Sequence, residues 1–132
     1  MKINSRNKGV TGERFAAKWL YDNLKLDDIP LRNLEQVREG GNDLTGPAPL
    51  SIEVKRCETL LKRDWWMQAV SGTTALLDTP VVMYRQSRQP WRFLISARCI
   101  GLTSGFVQVE EREFVKWASR LVAAEQYKRK AG

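Results

Sequence analysis

The sequence predicts a single α/β or α+β domain, on three observations. Two stretches, Asn7 to Leu24 and Glu110 to Ala124, place apolar residues at helical spacing. A third, Leu50 to Arg56, alternates apolar and polar residues as a strand does. The order helix, strands, helix, strand pair, helix interleaves the two kinds of element along 132 residues, a length that fits one domain, 1–132, with its own core.

The first helix puts Ala16, Ala17, Leu20 and Leu24 on one stripe, with Arg14, Lys18, Asp22 and Lys25 opposite. Glu13 lies within about 20° of both leucines, so a carboxylate sits on the apolar stripe. Burying a lone carboxylate is costly unless it is paired, protonated or bound to a metal; the plainer reading is a first-turn carboxylate favoured by the helix dipole. After Pro30, Asn33 to Arg38 reads as a weak strand that Gly40 and Gly41 break, followed by a short extended piece, Asn42 to Leu44. Thr45-Gly46-Pro47-Ala48-Pro49 is a turn. In the next strand Leu50, Ile52 and Val54 face one side, and Ser51, Glu53 and Lys55 the other. A second helix is expected from Trp65 to Leu77, capped by Asp64, burying Trp66, Ala69, Val70, Thr73, Leu76 and Leu77, with Gly72 a weak point in its middle. Pro80 to Tyr84 is a buried strand, and the Gln86 to Pro90 turn leads to its partner, Trp91 to Ser96. Phe106 to Val109 is a short strand. In the last helix Phe114, Ala118, Leu121, Val122 and Glu125 keep helical spacing, and Lys128-Arg129-Lys130 is a basic, frayed tail.

Composition narrows the chemistry. Hydrophobic residues at 42% and charged residues at 28% match ordinary globular usage, so a folded protein is expected. No apolar run approaches a membrane span, and Met1 to Arg6 carries no signal-peptide segment, which places the protein in the cytoplasm by default. The chain has no histidine, which removes Ser-His triads, Cys-His dyads and histidine metal sites together. Catalysis would therefore use carboxylates, lysine, or a hard cation held by oxygen ligands. The net charge of +7, from 22 Lys+Arg against 15 Asp+Glu, favours a polyanionic partner, of which nucleic acid is the commonest.

If the turn centres near Ala48, Asp43 falls opposite Glu53, with cross-strand neighbours about 5 Å apart. Two carboxylates there repel, and a divalent cation between them reverses the sign of that energy. Lys55 shares the face of Glu53, and the main-chain carbonyl of Val54 is a further oxygen ligand suited to magnesium. Two anions and one ammonium on adjacent strands suit phosphodiester hydrolysis. The competing reading is a salt bridge on a solvated strand, since Glu-x-Lys alone is a weak signal.

Thr11-Gly12-Glu13-Arg14, Gly40-Gly41-Asn42-Asp43-Leu44 and Ile52-Glu53-Val54-Lys55-Arg56 together resemble the signature of the PD-(D/E)XK nuclease superfamily. Within it the chain is most similar to small Holliday junction resolvase-like nucleases, including phage-encoded ones. The resemblance covers roughly residues 5 to 95. It implies a restriction-endonuclease-like α/β core, a mixed central sheet flanked by helices, with magnesium or manganese as cofactor. It implies that Asp43 and Glu53 are metal ligands, Glu13 a helix-borne ligand, and Lys55 the group that orients water or offsets charge. Gln68 resembles the helix glutamine that lies near such sites. Asn42 departs from the family pattern by standing where the signature has proline. The implied function is DNA cleavage at branched substrates such as four-way junctions. The alternatives are another nuclease of the same fold, restriction-like or repair type, and a DNA-binding accessory protein without turnover.

Arg56, Lys62, Arg63, Arg85 and Arg88 are candidates for phosphate contacts, with Arg92 nearby. Trp65 and Trp91 are candidates for base stacking, although tryptophan is more often packing. Cys57 shares the Glu53 face, but nothing near it activates a thiol. Symmetric nicking of a junction needs two copies of a one-site chain, so a homodimer is expected. Trp91, Phe93 and the Pro80 to Tyr84 strand are the apolar surface proposed for the contact.

Overall fold

β-Branched and aromatic runs build a four-stranded mixed sheet, and the helical stripes cover both of its faces. The computed structural model of the chain describes residues 5–34 and 41–131. The elements are α1 (Ser5–Asn23), β1 (Leu50–Lys55), α2 (Lys62–Ser71), β2 (Thr79–Tyr84), β3 (Arg92–Ser96), a short 3₁₀ turn (Ala97–Ile100), β4 (Phe106–Glu110) and α3 (Glu111–Ala131). Strand order in space follows the sequence, β1-β2-β3-β4. β1 and β2 run parallel, with Glu53 beside Val82 and Lys55 beside Tyr84; the other pairings are antiparallel. A parallel pair needs a crossover, and α2 supplies it. The architecture is therefore α/β, with a mixed open sheet.

The two sheet faces bury different helices. On one, the α1 stripe of Ala16, Ala17 and Leu20, with Leu24 just beyond the helix, and the α3 stripe of Phe114, Ala118 and Val122 pack on Leu50, Ile52, Met83, Phe93 and Ile95. Phe93 and Phe114 stack with ring centres 3.8 Å apart, joining α3 to the middle of the sheet. On the other face Trp65, Trp66 and Ala69 of α2 pack on Val82, Tyr84 and Leu94. The polar face of β1 is thus covered by protein, and Ser51 and Glu53 are buried rather than solvated.

Several expectations are corrected. Asp64 is not the cap of α2; the helix begins at Lys62, Leu61 precedes it without a side-chain cap bond, and Asp64 lies in its first turn. The helix ends at Ser71 with Gly72 as its C-cap, which leaves Leu76 outside it and exposed; within the helix Val70 is exposed instead of buried, and Trp65 is buried. Of the strand expected over Asn33 to Arg38, Asn33 and Leu34 are not strand, and a single bridge joins Arg32 to Leu44; residues 35–40 lie outside the described set. The basic tail is helical through Lys130, continuing α3. Trp65, which meets the Tyr84 ring at 5.4 Å, and Trp91 are both buried, so neither is available to stack on bases. Trp91, Phe93 and Val81 to Tyr84 are also buried within this chain, so they offer no surface for a dimer contact. Among the described residues, no helix is long and apolar enough to cross a membrane.

Candidate active site

Glu13, Asp43, Glu53, Val54, Lys55 and Gln68 all line one cleft of about 540 Å³ at the open edge of β1. Each arrives from a different piece of chain for a local reason. Leu44 bridges Ile52 in antiparallel sense, which puts the turn centre at Ala48 and Asp43 opposite Glu53, as the sequence spacing predicts. The Asp43 carboxylate accepts a hydrogen bond of 2.7 Å from the Val54 backbone N–H, fixing it against the strand edge. Within one strand, a residue's N–H and C=O leave on the same side. The Lys55 carbonyl accepts from Arg85 on the β2 side and the Ile52 carbonyl accepts from Leu44 on the edge side, so the Val54 carbonyl also points to the edge, beside Asp43. Gln68 reaches the cleft from the outer side of α2.

Glu53 is only 2% exposed. Burial, then a hydrogen bond with Asp43 and the Asp43 charge, push its carboxyl up to about 9, against the opposing pull of Lys55. Glu13 is raised as well, first by burial, while its ion pair with Arg32 opposes the rise. At neutral pH Glu53 therefore holds a proton against the Asp43 carboxylate.

Two residues outside the expected site hold it in shape. Arg32 donates from Nε to the Glu13 carboxylate, drawing the loop after α1 toward the cleft. Asn42, 3% exposed, donates from Nδ2 to Ser51 Oγ at 2.7 Å and to the Ala69 carbonyl at 2.9 Å. It rivets the segment carrying Asp43 to both β1 and α2. Gly72 leaves the room for it, because a Cβ there would sit 2.2 Å from Asn42 Oδ1. The sequence signal for Asn42 was its place beside Asp43; its partners, 9 and 27 residues away, were not readable.

The predicted phosphate contacts divide. Arg56 lines the cleft, and Arg85 stands beside it at the ends of the parallel strands. Lys62 lies 5.8 Å over the Tyr84 ring, while Arg63 and Arg88 are exposed, outside the cleft lining. Cys57 lines the cleft and packs against the α2 cluster. A second hollow of about 550 Å³, between the loop after α1, the turn before β1 and α3, holds none of these residues.

Among the described residues, no group of three or more Asp, Glu or Cys side chains is arranged to hold a metal ion by itself. The donor set nevertheless has the chemistry of a hard-cation site: two adjoining carboxylates, a main-chain carbonyl and room for water, with no nitrogen or sulfur ligand required. Comparison of the chain with protein-family models, with curated proteins and with solved structures gave no match in any of the three.

Proposed function

We propose that this protein is a divalent-cation-dependent endonuclease that hydrolyses DNA phosphodiester bonds, built on a restriction-endonuclease-like core. The observation that carries the reading is the convergence of Glu13, Asp43, Glu53, Lys55 and Gln68 on one cleft of a basic, histidine-free chain. Branched DNA, such as a four-way junction, is the proposed substrate and a homodimer the proposed active form, both from the resemblance to junction resolvases. Any such contact would have to lie outside the Trp91 and Val81 to Tyr84 surface, which is buried within the chain.

Asp43, Glu53 and the Val54 carbonyl would hold magnesium or manganese, with Glu13 an outer partner anchored by Arg32. When bound, the cation would supply a lowered water pKa and charge compensation for the transition state. Asp43 arrives pre-oriented by the Val54 N–H, so little reorganisation remains. Glu53 would have to give up its proton to serve as a ligand, which would couple cation affinity to pH. Lys55, on the Glu53 face of β1 at the strand's end, donates hydrogen bonds to the attacking water or to a non-bridging phosphate oxygen. Gln68 closes the cleft from the α2 side and orients the same water through its amide.

The test is strand cleavage of matched four-way junction, flap, linear duplex and single strand, with and without magnesium. Lys55→Ala should lower the single-turnover rate by roughly 10²–10³, the usual effect of removing one aimed donor. Its circular dichroism spectrum should not change. Near-normal cleavage by a folded Lys55→Ala protein would leave Lys55 a surface charge and remove the reading's main support.

A further inference from the structure

Beside the carboxylate cluster, two guanidinium groups gather on one aromatic ring. Arg56 follows β1 and Arg85 follows β2, so both leave the carboxyl ends of the parallel strands, where α/β sheets bind ligands. The stem of Arg56 crosses α1 at Gly12, with its Cβ and Cδ 3.7 Å from the point a Gly12 Cβ would occupy. Gly12 and Phe15 are neighbours on the helix surface, and this crossing carries the guanidinium to 5.9 Å from the Phe15 ring centre. Arg85 reaches the same ring at 5.9 Å and lies 4.6 Å over Trp91. Among the described residues neither arginine is in an ion pair. Burial lowers the Arg85 pKa, and the charge of Arg56 lowers it further, while Glu111 opposes; Glu111 itself accepts from the Trp91 N–H. Phe15 is 50% exposed, an apolar ring in solvent beside two like charges.

Like charges held near one ring favour an anion between them. A planar, exposed ring at the same place offers a face to any base. We propose that Arg56, Arg85 and Phe15 form a subsite for one unpaired nucleotide of a DNA strand, its phosphate on the two guanidiniums and its base on Phe15. A base inside an intact duplex cannot reach a helix-borne ring, so the subsite selects DNA with unpaired nucleotides next to the cleaved bond. The inference rests on the nuclease reading for the identity of the strand, but its binding test needs no cleavage.

Binding is measured by fluorescence anisotropy in EDTA, using a blunt duplex and the same duplex carrying a short unpaired flap. Arg56→Gln/Arg85→Gln should weaken the flapped ligand and reduce its salt slope by about 1, with a smaller effect on the blunt duplex. Phe15→Leu should weaken the flapped ligand about tenfold and leave the blunt duplex unchanged. A fluorescent adenine analogue in the flap should be quenched on binding wild type, an arm independent of any variant's folding. An unchanged salt slope overturns the anion subsite. An unquenched probe, or equal effects of Phe15→Leu on both ligands, overturns the base platform. Failure of both arms beside normal magnesium-dependent cleavage would reject the subsite alone, and absent cleavage with both arms positive would reject the nuclease reading alone.

Discussion

Glu53 is a defect in packing that the proposed function would turn to use. Its carboxyl is buried on the α2 side of β1, next to Asp43, and its pKa rises from 4.5 to about 9. The unfolded chain releases that proton near 4.5, whereas the metal-free native state keeps it to about 9. Over that window the native state binds more protons, so stability falls as pH rises. The melting temperature of metal-free protein should therefore decline between those pH values, and Glu53→Gln should flatten the decline; parallel curves for the two proteins would mean that Glu53 is ionised and paired. Spacing alone made much of this site legible. Helical period put Glu13 on an apolar stripe, and the turn centre put Asp43 opposite Glu53. The burial of Glu53 was not legible, because strand alternation gives a residue's face and says nothing of what covers that face.

At the scale of elements, the crossover helix positions the site more than its own sequence suggests. The apolar spacing of Val70, Thr73, Leu76 and Leu77 imitates a longer α2. Gly72 ends it, with its N–H bonded to the Gln68 and Ala69 carbonyls, and its bare Cα makes room for Asn42. That close approach is a long-range contact, invisible to periodicity. Gly72 has an ordinary φ of −85°, so alanine is excluded by space rather than by backbone strain. Gly72→Ala should cost about 1–3 kcal/mol by overpacking against a side chain that is hydrogen-bonded in place. Because Asn42 carries Asp43, the same variant should raise the magnesium concentration needed for half-maximal cleavage. Chemical denaturation and a magnesium titration read the two effects; unaltered values in both would show that Asn42 can swing aside.

For the whole molecule, the sheet separates two jobs. α1 and α3 pack on one face around Phe93 and Phe114, and α2 packs on the other. The candidate site lies at the edge of β1, where Leu44 bridges Ile52 and Arg32 meets Glu13. The α/β order and the sheet strands were legible because each has its own period. A surface for the proposed dimer was not, because a buried strand and a contact strand look alike in sequence. Paired nicks across a junction still require two sites, so sedimentation with junction DNA should report two chains per junction. One chain per junction would favour a repair-type nuclease acting on a single strand.

The central claim is that Asp43 belongs to a cation site that cuts DNA. The most direct measurement is single-turnover cleavage of an end-labelled four-way junction by wild type and by Asp43→Asn, in magnesium and in calcium. Wild type should cut in magnesium and not in its absence. Asp43→Asn should fail to cut while binding the junction in calcium at least as tightly as wild type. Wild-type cleavage rates from Asp43→Asn, or cleavage that persists in EDTA, would contradict the account.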